Sequence, residues 1–305
     1  MRLSTTILIG STLALLSLGM LTLYSISPPD SSFQYLSRQL VAAGLGLVGA
    51  MVLSQVHYRR LRSWSWFLLL VAVLSLSLVL ALGVEVKGAR RWFRVGGLQF
   101  QPSEFAKLGL LVALAHYGAV HERVMRFWWH GVLVPGMLIG LVAGLVFLEP
   151  DWGTAVLLGA VGLVVLLIAG ARWTHLAVPV LLGMGGLCGL LAFNSVRIDR
   201  VHAWLHPEAT RQGVGYQAWQ AKLALGSGGL TGVGLNASTQ KRFLPEDQTD
   251  FIFAIIGEEF GYIGSVVVIG LFLLYFLSGV SIARQAADRF GQLLAAGITF
   301  LIGLQ

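Results

Sequence analysis

The sequence predicts an all-α polytopic membrane protein, and its composition is the first reason. Of the 305 residues, 56% are hydrophobic and only 11% are charged, whereas soluble domains average roughly 25% charged residues. The second reason is that apolar runs of about 20 residues, the length that crosses a bilayer as a helix, follow one another along the chain. The third is that these runs are uniformly apolar, which excludes the alternating strands of a membrane β-barrel.

About nine spans are predicted from these runs, because a helix satisfies its own backbone groups in lipid. They cover residues 5–26, 39–56, 64–84, 102–120, 132–148, 152–171, 176–195, 250–282 and 290–305. The whole chain, 1–305, is predicted as a single transmembrane domain, with residues 196–249 as a large extracytoplasmic loop within it. The last run ends without a flanking charge, which predicts that part of the bundle is missing.

The basic residues indicate the orientation of these spans. Most Arg residues fall in alternating connections on one side, which should be the cytoplasm, so much of the net charge of +7 needs no nucleic-acid partner. The short loop 85–101 on the opposite side breaks this pattern with Lys87, Arg90, Arg91 and Arg94. An anionic ligand would explain four cations there, since Arg matches phosphate oxygens; the alternative is that the other loops set the topology and this one is tolerated.

Charged residues inside spans are rare and usually functional. Glu104 and Lys107 are three apart in the fourth span and therefore share a face; they form either a functional pair or one that only lowers the cost of insertion. Asp250 is the last charge before the eighth span, where it could take up a proton or simply cap the helix. Glu258 lies on roughly the same face as Asp250, and Glu259 about 100° further round.

Two loop motifs allow both a structural and a functional interpretation. Asp151, in the turn Glu149-Pro150-Asp151, is favoured by spacing as a helix cap. The glycine-rich segment 226–234 lacks the Lys-Ser/Thr ending of a nucleotide-binding loop; its glycines either let the loop fold tightly or bring backbone N–H groups to an anion. Cys188 is the only cysteine, which excludes an internal disulfide and a metal site built from cysteines.

Together, the outward side offers a basic loop, an acidic turn, a glycine-rich loop and a boundary carboxylate. This combination suits a lipid-anchored anionic substrate better than a small soluble one. The acyl tail would lie between helices, and the head group would meet the outward loops.

At these motifs the chain resembles the SEDS family of bacterial cell-wall synthesis, which includes FtsW, RodA and SpoVE. The motifs are KGARRW at 87–92, FQPSEFAK at 100–107, EPDWGTA at 149–155, GSGGL with two further glycines at 226–234, LPE and TDFIFA at 244–254, and GEEFG at 257–261. They occur in the family's order along the whole chain. Residues 254–259 look more like FtsW than RodA.

The resemblance implies a peptidoglycan glycosyltransferase that polymerises lipid II in the bacterial cytoplasmic (inner) membrane, with its active face extracytoplasmic. It implies a SEDS-type bundle of ten helices, of which about nine spans are present here, surrounded by membrane lipids. The implied partners are a class B penicillin-binding protein as transpeptidase and other divisome proteins. Two departures stand out: Gln248 occupies the position where the family usually has His, and the family's last helices are absent.

In the mechanism that this resemblance suggests, Asp250 is the general base that deprotonates the acceptor sugar. Arg90, Arg91 and Arg94, or a divalent cation such as Mg²⁺ or Mn²⁺, would offset the charge of the leaving pyrophosphate; no cofactor is certain. The residues assigned to substrate binding are Lys87, Arg90, Arg91, Arg94, Glu104, Lys107, Asp151, Lys241 and Glu258. The alternatives are an elongation polymerase of the RodA type, a lipid II flippase, which needs no base, and a division scaffold.

Overall fold

The computed structural model describes residues 2–27, 32–86, 88–95, 98–192, 195–206, 208–244 and 250–305. The helices are α1 Arg2–Ile26, α2 Ser32–Gln55, α3 Arg59–Leu82, α4 Pro102–Val120, α5 Val134–Leu148, α6 Trp152–Ala169, α7 Trp173–Ala192, α8 Ser195–Leu205, α9 Tyr216–Ser227, α10 Ile252–Arg284 and α11 Arg289–Leu304. The strands are β1 Val84–Val86, β2 Ala89–Val95 and β3 Leu98–Phe100.

The predicted all-α membrane class is confirmed. Within the described residues, six helical segments are long and apolar enough to cross a bilayer. They are Arg2–Ile26, Leu36–Gln55, Arg59–Leu82, Trp129–Leu148, Trp152–Ala169 and Ile252–Arg284, and two shorter apolar segments are Trp173–Gly189 and Arg289–Leu304. The many apolar side chains exposed on these helices suit a lipid environment, in which they lose no hydrophobic stabilisation.

Two loops contain regular structure that the sequence did not predict. The loop 85–101 folds into a three-stranded antiparallel sheet in the order β1-β2-β3. Its strands have three to seven residues, and Glu85 pairs across from Arg90, so opposite charges lie in register. The long loop 196–249 contains the helices α8 and α9. The three strands are short, and α8 and α9 are shorter and more polar than the spans, so neither segment carries the long apolar run that marks a span.

The described contacts group the chain into two compact units. The first contains residues 1–5, 56–183 and 276–305. Its core is formed by α3, α4, α5, α6 and α11, with fully buried residues such as Leu76, Leu110 and Leu114. Small residues allow close packing: a side chain at Gly109 would meet Ala72 and the backbone of Leu68.

Asp288 fixes one end of this first unit. Its carboxylate accepts hydrogen bonds from the backbone N–H of Gly291 at 2.7 Å, from the Tyr58 hydroxyl at 2.9 Å and from Arg59 Nε at 2.9 Å. The Gly291 hydrogen bond is the main reason that the pKa of Asp288 is lowered. Asp288 therefore caps α11 and ties its start to the start of α3.

The second unit contains residues 6–55 and 184–275 and depends on a break in α10. At Gly261 the backbone leaves helical geometry, with φ 68° and ψ −163°. The carbonyl groups freed at Glu258 and Glu259 accept hydrogen bonds from the N–H groups of Val233 and Gly234, at 2.9 and 3.1 Å. The glycine-rich segment thus pairs with the broken helix, which supports the tight-folding interpretation of its glycines.

The remaining groups at the break are satisfied in the same way. The N–H groups of Tyr262 and Ile263 donate to the carbonyls of Gly229 and Leu230 at 2.9 and 3.2 Å. A Cβ at Gly261 would lie 2.4 Å from the backbone nitrogen of Gly232. Only glycine combines this left-handed φ with so close a backbone approach.

Gly261→Ala should therefore destabilise the protein by roughly 1–3 kcal/mol or more, the cost of a strained backbone, and lower the midpoint of thermal unfolding in detergent. Gly270→Ala is the matched control in the same helix, because a Cβ there meets nothing within 4 Å. The control should unfold at the same temperature as the wild type or higher, since Ala favours helix over Gly. Equal midpoints for the two variants would contradict the role of the break.

Candidate functional site

Arg91 in the first unit holds the acidic turn between α5 and α6. Its Nε donates to the carbonyl oxygen of Glu149 at 2.8 Å, and its Nη2 donates to the carbonyl oxygen of Pro150. The register of β1 and β2 shifts at Arg91, which lies between the paired residues Arg90 and Trp92. The guanidinium of the half-buried Arg91 is therefore engaged with the backbone carbonyls of this turn.

The other two arginines of β2, Arg90 and Arg94, are exposed. Arg90 Nε lies 3.7 Å from a carboxylate oxygen of Glu85, and both side chains are more than half exposed. Such a surface pair contributes little to stability, so it does not prevent Arg90 from meeting an anion. Lys87, the fourth predicted cation of this loop, lies outside the described residues.

Asp151 caps α6, as the spacing favours. Its carboxylate accepts hydrogen bonds from the backbone N–H of Thr154 at 3.3 Å and from the Thr154 hydroxyl at 3.0 Å. Gln101 Nε2 also lies 3.5 Å from it. These contacts account for the placement of Asp151 without a ligand, and its assignment to substrate binding stays a prediction.

Glu149 is the residue whose importance the sequence reasoning missed. Its side chain is 0% exposed, and neither carboxylate oxygen has a hydrogen-bond partner among the described residues. Burial raises the pKa of Glu149 to about 7; the Asp151 charge adds to the rise, and Arg91 opposes it. The available signal was an acidic residue placed directly between an apolar run and a proline, but that pattern does not reveal burial.

Glu104 and Lys107 form the ion pair that their spacing predicts. Lys107 Nζ lies 2.8 Å from Glu104 Oε2. The Lys107 side chain is only 3% exposed, whereas that of Glu104 is 55% exposed. Lys107 Nζ also donates to Gln305 Oε1 at 3.2 Å. The pair joins a buried cation to an accessible carboxylate near the start of α4, and its role in substrate binding stays a prediction.

Glu258 in the second unit anchors the loop that precedes the eighth predicted span. It is 1% exposed and accepts hydrogen bonds from the Ser238 hydroxyl, from the Thr239 N–H and hydroxyl at 2.9 and 3.1 Å, and from the Gln240 N–H at 3.3 Å. The carboxylate therefore caps the short helix Gln240–Arg242, where free N–H groups favour negative charge. These contacts give Glu258 a structural role; substrate binding by it stays a prediction.

Glu259 and Lys241 tie the same loop to the end of α1. Glu259, also 1% exposed, accepts from the Ser25 hydroxyl and from the Asn236 N–H at 3.0 Å. Lys241 Nζ donates to the Ser25 carbonyl at 3.0 Å and to Asn236 Oδ1 at 2.7 Å. The amine thus lies at the carbonyl end of a helix, a position that favours a cation.

Asp250 lies in the turn ahead of α10 and is exposed. The helix begins at Ile252, and the Asp250 carboxylate has no hydrogen bond or ion pair with another described residue. The capping alternative therefore has no support within the described part of the chain. The carboxylate is available to solvent or to a ligand, two helical turns before the anchored pair Glu258 and Glu259.

The fold and these charged clusters define a multi-pass membrane protein with polar groups fixed at the ends of its helices. The comparisons with known proteins then place it. The FtsW/RodA/SpoVE family model, described as "Cell cycle protein", matches residues 5–305. The chain belongs to this family.

Named relatives cover nearly the whole chain. It is 37% identical to the "Probable peptidoglycan glycosyltransferase FtsW" of Trichlorobacter lovleyi, a match that covers 98% of this chain and 81% of the relative. It is also 37% identical to "Stage V sporulation protein E" of Bacillus subtilis, with 98% and 84% covered.

Solved structures share the fold. The crystal structure of the Thermus thermophilus rod shape determining protein RodA matches with a TM-score of 0.70 and 33% identity, and the match covers 97% of this chain and 80% of that one. A structure described as showing coordination of polymerization and crosslinking by a peptidoglycan synthase complex matches with a TM-score of 0.80 and 30% identity, covering 97% and 83%.

Glu258→Ala should release the loop 236–242, because the hydrogen bonds to its carboxylate are lost together. Trypsin should then cleave after Lys241 and Arg242 at least about ten-fold faster, since each hydrogen bond to a charged group is worth about 1.5–3 kcal/mol and cleavage follows the population of the open form. Glu208→Ala is the control, because Glu208 is an exposed carboxylate of the same predicted loop, and its ion pair with Lys222 at 3.0 Å lies on the surface. Cleavage of both variants at the wild-type rate would show that Glu258 does not anchor the loop.

Proposed function

We propose that this protein is a peptidoglycan glycosyltransferase that polymerises lipid II at the outer face of the bacterial cytoplasmic membrane. Several relatives carry this activity in their names, at 34–39% identity over most of the chain. The observation that carries the proposal is the state of Asp250, an exposed carboxylate in the turn that leads into α10. The proposed biological role is cell division, after the FtsW name of these relatives.

The reaction requires one proton transfer and one displacement. The 4-hydroxyl of the acceptor sugar attacks the anomeric carbon of the donor, and its proton passes to Asp250. A new carbon–oxygen bond forms as the bond to the lipid pyrophosphate breaks, and the pyrophosphate leaves with the electron pair. A single displacement inverts the anomeric carbon. General base catalysis of this kind contributes about 10²–10⁴-fold in rate.

The leaving pyrophosphate needs positive charge nearby. Arg90 and Arg94 are exposed on β2, and a guanidinium can bind phosphate oxygens through two donors. Arg91 supports Arg90 and Arg94 indirectly, because its hydrogen bond ties β2 to the acidic turn at Glu149. Lys107, held by Glu104 near the start of α4, is the further cation that we assign to the substrate.

A divalent cation at the pyrophosphate is a separate question. The described residues include no group of three or more His, Cys, Asp or Glu side chains arranged to hold a metal ion. The protein residues therefore do not form a metal cage in the described part of the chain, and no step is assigned to a metal. An ion brought by the pyrophosphate itself stays a prediction.

The partner that we propose is a class B penicillin-binding protein acting as transpeptidase. This proposal is supported by the similarity to the peptidoglycan synthase complex, whose description couples polymerization to crosslinking. Glycan strands made by this chain would then be crosslinked by the partner. Other divisome proteins complete the proposed assembly.

Asp250→Asn should reduce polymerisation of purified lipid II by about 10²–10⁴-fold, because the amide cannot accept the proton. The protein should be assayed in detergent with its proposed partner, and folding checked by its thermal unfolding midpoint. Glu208→Gln, which neutralises another exposed carboxylate, should keep the wild-type rate. Near-normal polymer from folded Asp250→Asn would remove Asp250 from this role and favour a lipid II flippase, which needs no base.

Arg94→Gln should raise the KM for lipid II roughly five-fold with little change in kcat, because one exposed charge contact is worth about 1 kcal/mol. The effect should shrink as salt concentration increases, since salt screens exposed charges. Arg172→Gln removes a comparable exposed cation from the predicted cytoplasmic side and is the control. An equal KM for wild type and Arg94→Gln would show that this arginine does not bind the pyrophosphate.

A further inference from the structure

Glu149 is a buried acid whose side chain is not explained by the mechanism above. Its backbone ends α5, where its N–H donates to the Val146 carbonyl at 3.1 Å. The side chain is 0% exposed, and both carboxylate oxygens lack a partner among the described residues. An ionised carboxylate in such a place is costly, so the group is stable there when it carries a proton.

Two charged side chains act on this carboxyl from neighbouring elements: Asp151 at the start of α6 and Arg91 on β2. Burial and the Asp151 charge favour the protonated form, and Arg91 favours the ionised form. Burial and the Asp151 charge outweigh the influence of Arg91, so the pKa of Glu149 is raised from 4.5 to about 7. The residue can therefore gain or lose its proton near neutral pH.

We propose that Glu149 is a positioning residue for the proposed glycosyltransfer reaction, and that its proton controls where Arg91 holds strand β2. The predicted effect of Glu149 on activity rests on the proposed function, whereas the predicted titration of Glu149 does not. While the Glu149 carboxyl group is neutral, the Arg91 guanidinium donates hydrogen bonds to the backbone carbonyl oxygens of Glu149 and Pro150. When the proton leaves, the new carboxylate on the same residue is the stronger acceptor for a guanidinium, because charge-assisted hydrogen bonds are roughly twice as strong as neutral ones.

Movement of Arg91 toward the Glu149 carboxylate shifts the whole of strand β2. Arg90 precedes Arg91 and Arg94 follows it on the same short strand, and both are exposed. A shift of β2 therefore moves the two cations assigned to the pyrophosphate. Substrate binding should be strongest while Glu149 is protonated and weaken as the pH rises above about 7.

The first test is the stability of the purified full chain against pH, which needs no activity. The folded pKa lies above the ordinary value of 4.5, so the folded protein binds the extra proton between these values. Its stability should fall as pH rises from 4.5 to about 7 and level off above. In Glu149→Gln this fall should be absent, whereas Glu85→Gln, an exposed control from β1, should keep it. Parallel curves for wild type and Glu149→Gln would overturn the proposal.

A second variant keeps Glu149 in place if the Gln substitution prevents folding. Asp151→Asn removes the charge that favours the protonated form, while Asn remains a good helix cap. The pH at which stability levels off should then move to lower values. An unchanged pH would show that Glu149 is not the titrating group.

The activity test follows lipid II polymerisation between pH 6 and 8. In the wild type and Glu85→Gln, KM should rise roughly five-fold across this range, the loss of about one exposed charge contact, with kcat little changed. In Glu149→Gln, KM should stay flat. A KM that does not change with pH in the wild type would overturn the positioning role. A total lack of polymer from the wild type would count against the proposed function. In that case the stability curves would still show whether Glu149 titrates as proposed.

Discussion

The second unit depends on the pairing of backbone groups at the break in α10. A helix that breaks in an apolar environment leaves N–H and C=O groups without partners, and each one is costly there. The glycine-rich segment supplies partners on both sides of Gly261. Glycine is needed because backbone meets backbone: a Cβ at Gly232 would lie 2.0 Å from the Glu259 carbonyl oxygen. The break in turn fixes Glu258 and Glu259, which hold the loop leading toward Asp250.

Side chains of the same type have different roles, which depend on their burial and their hydrogen-bond partners. Glu258 is buried and fully engaged by the loop that it caps, whereas Glu149 is buried without a partner for either oxygen. The first anchors a loop, and burial raises the pKa of the second to about 7. Arg91 and Arg94 differ similarly, because one grips backbone carbonyls and the other faces solvent. Burial and partners, rather than residue type, separate structural charges from those available to a substrate.

The parts of the fold that depend on local periodicity were predictable from the sequence. Long apolar runs gave the membrane class, and a separation of three residues gave the Glu104–Lys107 pair. The sheet around Arg90 was not predicted, because its register depends on pairing between short strands. The contact of Lys241 with Ser25 joins residues more than two hundred positions apart, and no local sequence pattern predicts a contact over that separation. The burial of Glu149 could not be predicted from the sequence for the same reason.

In the proposed mechanism, the proton acceptor Asp250 lies beside the hydroxyl group that attacks the donor sugar. The most direct measurement is an experimental structure of the full protein with its partner and an unreactive lipid II donor and acceptor bound. We expect a carboxylate oxygen of Asp250 within hydrogen-bond reach, about 2.6–3.2 Å, of the acceptor 4-hydroxyl. An acceptor hydroxyl bound to a different base, with the Asp250 side chain directed into lipid, would contradict it.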